Sequence, residues 1–132
     1  MPHLTIDYSP QLADVFDGPS LVAELHAMVI EAARSQGVCK TFLRPAAETY
    51  VGPRNGGQTP FVHVEVGLLP GRTGRLKERL SEAVLALLHR HLPAGPATAG
   101  VLCTVEVRDL APSYRMSQRT GAVVERRCPS TG

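Results

Sequence analysis

Residues 60–66 read Pro60-Phe61-Val62-His63-Val64-Glu65-Val66, and residues 2–7 read Pro2-His3-Leu4-Thr5-Ile6-Asp7. Both stretches begin on proline and then alternate. Val62, Val64 and Val66 share one face, with Phe61, His63 and Glu65 on the other. Leu4 and Ile6 likewise oppose His3, Thr5 and Asp7. A period of two is the pattern of a strand with one buried face. Its return later in the same chain points to an internal duplication.

Working outward, each strand is followed by the same succession of signals. After the first, Asp17-Gly18-Pro19 punctuates the chain, and Pro19 suits the first turn of a helix. Leu21, Leu25, Met28 and Ala32 then fall at helical spacing, with Glu24 and Glu31 on another face, which predicts a helix to Arg34 and a stop at Gly37. A second strand is expected over Thr41 to Val51, where Pro45 signals a sheet edge or a bulge. After the second copy, Leu76, Leu80, Ala83, Leu87 and Leu88 predict a helix from Thr73 to Leu92. Pro93, Gly95 and Pro96 end it, and Val101 to Val107 follows as a strand. Strand start to strand start takes 39 residues in the first copy (2 to 41) and 41 in the second (60 to 101).

A strand, a helix and a further strand form a parallel pair with a right-handed crossover. Two such units predict an α/β (α+β) domain: a four-stranded mixed sheet with two helices on one face. The pseudo-repeats cover about 2–51 and 60–110, within one domain over 1–120, and residues 121–132 read as a tail. The second sheet face would carry Thr5, Phe61, His63 and Glu65. It is too mixed for a private core and too apolar to be left to water, so subunits are expected to cover it.

The bulk composition narrows the function. The chain has 132 residues, a net charge of +2, 43% hydrophobic residues and no Trp, so the core rests on aliphatic side chains. Charges of both signs are interspersed. Only Arg115, Arg119, Arg126 and Arg127 form a basic lean, and without interleaved aromatics this reads as solvated surface rather than a nucleic-acid interface. Cys39, Cys103 and Cys128 lack the spacing of a zinc site or a disulfide framework. No charged-then-apolar leader and no long apolar run are present, so no membrane association and a cytoplasmic location are expected. The Gly52–Pro60 loop is glycine-rich but lacks the Gly-Lys-Ser/Thr ending of a phosphate-binding loop.

Met1-Pro2 is the dipeptide that bears on chemistry. Methionine is removed ahead of a small second residue, which leaves a prolyl secondary amine at the chain end. Such an amine has an ordinary pKa of about 7.7–8.0, and burial or nearby cations lower it toward the range where a general base works at neutral pH.

Met1-Pro2-His3-Leu4-Thr5-Ile6-Asp7, Phe61-Val62-His63-Val64-Glu65-Val66 and Gly71-Arg72-Thr73 together resemble the 5-carboxymethyl-2-hydroxymuconate isomerases of the tautomerase superfamily. That superfamily also holds 4-oxalocrotonate tautomerase and macrophage migration inhibitory factor. The likeness spans about Pro2 to Arg119. It implies a homotrimeric isomerase of aromatic catabolism, free of metal and cofactor, that shifts a proton in a carboxylated 2-hydroxymuconate. It also implies a first strand antiparallel to the third, with Pro2 as the base beside Arg72. Arg72 matches the family's Gly-Arg element, and its planar fork suits a substrate carboxylate. Arg44 corresponds to the family's second-strand arginine, with Lys40 as the rival position. His3 and His63 read as structural, and His89 and His91, two apart on a helix, cannot converge on one ligand. Two other readings stand beside this one: a tautomerase of a smaller 2-keto acid such as phenylpyruvate, and a non-catalytic oligomeric binding protein of the same fold.

Overall fold

The computed structural model describes residues 2–52 and 59–119. Met1, the middle of the Gly52–Pro60 loop, Cys128 and the expected tail over 121–132 lie outside the described residues. The chain forms β1 (His3–Tyr8), α1 (Gly18–Ala33), β2 (Lys40–Pro45), β3 (Phe61–Leu68), α2 (Gly74–His91) and β4 (Leu102–Asp109). No helix among the described residues is long and apolar enough to cross a membrane.

The sheet order is β2-β1-β3-β4. β1 runs parallel to β2 and antiparallel to β3, and β3 runs parallel to β4. The two repeats therefore meet through their first strands, and their second strands form the two edges. The repeat extends to single hydrogen bonds: the Lys40 amide donates to the Pro2 carbonyl at 3.4 Å, and the Leu102 amide donates to the Pro60 carbonyl at 2.9 Å.

Leu4, Ile6, Val62, Val64 and Val66 are fully buried on the helix side of the two central strands. Each such side chain contributes about 1.5–3 kcal/mol of burial free energy. They meet Leu21, Leu25, Val29 and Ala33 of α1 and Leu80, Val84, Leu87 and Leu88 of α2 in one core. Met28, Ala32, Leu76 and Ala83, expected in the core, are only partly buried. Each helix is rolled so that its four-residue row meets the sheet, which turns these residues toward the seam between helices.

Two predicted boundaries are corrected. α1 stops at Arg34, not Gly37: Arg34 adopts φ 52°, and its amide bonds back to Glu31 and Ile30 carbonyls. β2 is Lys40–Pro45 rather than Thr41–Val51. Pro45 is its last residue, on an edge strand where a missing N–H is tolerated. The Ala46 amide then bonds the Tyr8 carbonyl at 2.9 Å as the chain leaves the sheet.

Across the open face, the register aligns Lys40, His3, Gly67 and Arg108 in one row. The next row is Phe42, Thr5, Glu65 and Glu106, followed by Arg44, Asp7, His63 and Thr104. Phe42 is 49% exposed, beside the Arg44–Asp7 and Arg108–Glu65 ion pairs. This is the part-apolar, part-charged face the alternation predicts.

Candidate active site

The antiparallel join of β1 and β3 brings the start of the chain to the end of the third strand. His3 stands opposite Gly67 on one side and Lys40 on the other. Pro2, one residue earlier, is buried at that edge. The turn after β3 passes through Gly71, whose φ of 122° excludes most other residues, and reaches Arg72. Thr73 follows as the cap of α2, its Oγ1 accepting from the Leu76 amide at 3.1 Å.

Of the four sequence-predicted site residues, Pro2, Lys40 and Arg72 lie at one end of the sheet and Arg44 lies further along β2. Arg72 lies at the Pro2 end of the sheet, but its guanidinium faces protein oxygens. Nε and Nη2 donate to the Ala33 carbonyl at 3.2 and 2.7 Å, and Nη1 donates to the Leu69 carbonyl at 3.3 Å. Ala33 is the last residue of α1, so the cation sits at the negative end of a helix dipole, a favoured arrangement. Arg44 stands opposite Asp7 and grips it with two bonds, Nε to Oδ1 at 2.8 Å and Nη2 to Oδ2 at 3.1 Å. Its guanidinium carbon also lies 5.8 Å from the Phe42 ring centre.

Lys40 is the cation beside Pro2 of its own chain. Arg44 is four residues further along β2, about 13 Å away at about 3.3 Å per residue. Among the described residues the Lys40 ammonium has neither an ion-pair nor a hydrogen-bond partner. The family resemblance leaves Lys40 as the rival to Arg44, because the match slips by about one residue in the second strand and Pro45 has no counterpart there.

His3, expected from the sequence to be structural, stands between Lys40 and Gly67 on the open face. Its ring lies 5.9 Å from that of Phe42, and its Nδ1 is buried without a hydrogen-bond partner. Burial, reinforced by Lys40 and opposed by Glu65, lowers its pKa below the ordinary value of 6.5. The ring is thus held neutral near pH 7. Alternation had already set His3 on an outward position, but Lys40 fell before the expected second strand, and only the register makes the two neighbours.

The duplicated frame supplies an internal control. The position equivalent to Pro2 is Pro60, that of His3 is Phe61, that of Lys40 is Leu102, and that of Arg72, one before the helix cap, is Phe16. One end of the sheet thus carries ionisable groups where the other carries apolar ones. Cys39, just before β2, packs against the core, and burial pushes its thiol up to about 11; Cys103 is raised for the same reason.

Comparison with known proteins agrees with this frame. The model of the 5-carboxymethyl-2-hydroxymuconate isomerase family matches residues 2–123. A 5-carboxymethyl-2-hydroxymuconate isomerase from Deinococcus radiodurans R1 is similar in structure at a TM-score of 0.75 and 21% identity, covering 90% of both chains. A macrophage migration inhibitory factor-like protein from Entamoeba histolytica is similar at a TM-score of 0.63 and 15% identity, over 89% of this chain and 95% of that one. A fused 4-oxalocrotonate tautomerase, solved as a symmetric trimer, is similar at a TM-score of 0.63 and 18% identity, over 92% of each. At these identities the structural likeness is one of fold. No curated protein sequence matches the chain.

Proposed function

The chain belongs to the 5-carboxymethyl-2-hydroxymuconate isomerase family, and from that premise we propose that it moves a proton within a carboxylated 2-hydroxymuconate, with the amine of processed Pro2 as general base. The carrying observation is the contrast between the two ends of the duplicated sheet. At the first end Pro2 neighbours Lys40, with Arg72 in the loop after β3, whereas the equivalent positions at the other end are Leu102 and Phe16. Lys40 holds a substrate carboxylate and favours the charge that develops on the enolate oxygen. Arg72 keeps two guanidinium hydrogens beyond its carbonyl bonds for the same anion.

A domain over 1–120, a homotrimer and a cytoplasmic location complete the reading. The exposed Phe42 and the mixed open face support self-association, and trimeric proteins occur among those of similar fold. Arg44 reaches a Pro2 site only from a neighbouring protomer, since it stands far along β2 from the Pro2 of its own chain.

One observation favours a second reading, tautomerisation of a smaller 2-keto acid such as phenylpyruvate. Arg44 and Arg72 already hold protein oxygens, and Lys40 alone is a match for one carboxylate rather than two.

The test compares processed protein with protein that retains Met1, both verified by intact mass, on a 2-hydroxymuconate and on phenylpyruvate. Acylation turns the Pro2 nitrogen into an amide without a basic lone pair. Turnover is expected to fall by about 10²–10⁴-fold, the usual worth of a general base. Equal turnover by both forms removes Pro2 from the chemistry, and the ratio of the two substrates decides between the readings.

A further inference from the structure

α1 and α2 run antiparallel across the sheet. At one end His91 Nε2 approaches Glu24 Oε2 at 3.4 Å. At the other end the helices part around a cavity of about 430 Å³, open to the surface. Its floor is apolar: Met28 and Ala32 from α1 face Leu76, Leu80 and Ala83 from α2. The two alanines leave the gap, since larger side chains at 32 and 83 would close the seam. The size falls at the lower end of the range of about 300–1,000 Å³ for small-molecule sites.

Arg75 and Arg79 border this floor. They lie one helical turn apart, a spacing at which like charges repel. Arg75 also falls in the first turn of α2, which has no acidic residue and where the helix dipole disfavours a cation. Neither guanidinium has an ion-pair or hydrogen-bond partner among the described residues. Glu31, Glu78 and Glu82 are exposed on the same helices and do not line the cavity. An apolar floor rimmed by two cations that form no ion pair with Glu78 or Glu82, each three residues further along the helix, is complementary to a small apolar anion.

We propose that the groove between Met28–Ala32 and Leu76–Ala83 binds a small apolar molecule carrying a single carboxylate, its chain on the floor and its anion between Arg75 and Arg79. This site lies on the helix layer, apart from the proposed chemistry at Pro2, and does not depend on it. A bound anion relieves both the repulsion between the arginines and the conflict of Arg75 with the dipole. The groove's other occupant is water, with the arginine stems merely covering apolar surface.

Octanoate serves as probe, titrated into the full chain and followed by amide chemical shifts. Saturable shifts are expected in residues 28–33 and 73–83, with affinity falling as salt rises. Octanol should bind at least ten-fold more weakly. The double variant Arg75→Glu/Arg79→Glu should lose at least ten-fold in octanoate affinity while keeping its circular dichroism; if it does not fold, Arg79→Gln alone should lose several-fold. Absence of saturation, equal binding of octanol, shifts that map elsewhere, or affinity unchanged in the folded variants would each overturn the proposal.

Discussion

Arg72 closes its guanidinium fork on the carbonyl of Ala33, with Nη2 at 2.7 Å and Nε at 3.2 Å. The same side chain that the family pattern assigns to substrate therefore also ties the end of α1 to the loop after β3. Arg72→Ala is expected to lose stability as well as activity, on the order of 1–3 kcal/mol for an unsatisfied carbonyl and a lost charge-assisted bond. Arg72→Lys keeps the charge without the fork, so it should recover more activity than stability. Urea melts read beside kcat/KM check this; a Lys variant as stable as the parent dismisses the clamp.

Lys40 and Arg44 should separate by kinetics. Lys40 is exposed and unpaired, so Lys40→Gln should leave the melting temperature nearly unchanged. A hydrogen bond to a charged group contributes about 1.5–3 kcal/mol, and exposure puts Lys40 at the lower end, about ten-fold in kcat/KM. The loss should appear in KM for carboxylated substrates. If kcat/KM stays at the parental level, Lys40 does not meet the substrate.

Stability should fall in acid partly through His3. Its folded pKa lies below 6.5 because of burial and Lys40, with Glu65 opposing. Between the folded and unfolded values the unfolded chain binds more protons, so stability rises with pH there and is fully present above 6.5. Thermal melts at pH 7.5 and pH 5.5 should therefore differ less in His3→Gln than in the parent. An unchanged difference would falsify the assignment of this acid loss to His3.

The cysteines should be slow nucleophiles. With the Cys39 thiol pushed up to about 11, little thiolate exists at pH 8. In a Cys128→Ser background, iodoacetamide should label Cys39 and Cys103 far more slowly than free cysteine at that pH. Unfolding in urea should restore ordinary rates. Fast labelling of the folded protein contradicts the burial of both thiols.

Gly67 and Leu110 should show coupled effects. A Cβ on Gly67 would come 2.5 Å from Leu110 Cδ2 and 3.2 Å from its Cγ. A rotamer change can accommodate Ala, but Val should cost about 1–3 kcal/mol through overpacking. Leu110→Ala should relieve much of that cost, and a double-mutant cycle on urea stability measures the relief. Additive effects would show that the two positions do not touch.

The frame was legible in the sequence because its core strands are written in alternation: Leu4 and Ile6, then Val62, Val64 and Val66, each face as expected. The boundaries were less so. Arg34 takes the left-handed conformation at the end of α1 even though Gly37 follows, and Pro45 marks the end of an edge strand rather than a bulge inside one. The commitments of the cations were not legible at all. Arg44 meets Asp7 from 37 residues away, and Arg72 meets Ala33 from 39 residues away. Such pairings depend on register and on the end of a helix, neither of which local pattern specifies.

The duplicated frame also determines how many reactive ends each chain can have. Pro60 heads β3 as Pro2 heads β1, and its carbonyl is held in the same way. Its nitrogen, however, is locked in a peptide bond and can never take up a proton, whatever surrounds it. Removal of Met1 can free only one of the two prolines. The second half of the frame is therefore barred from prolyl-amine chemistry by covalent structure alone. An assembly of three chains, however symmetric its sheets look, can offer at most three prolyl amines and not six.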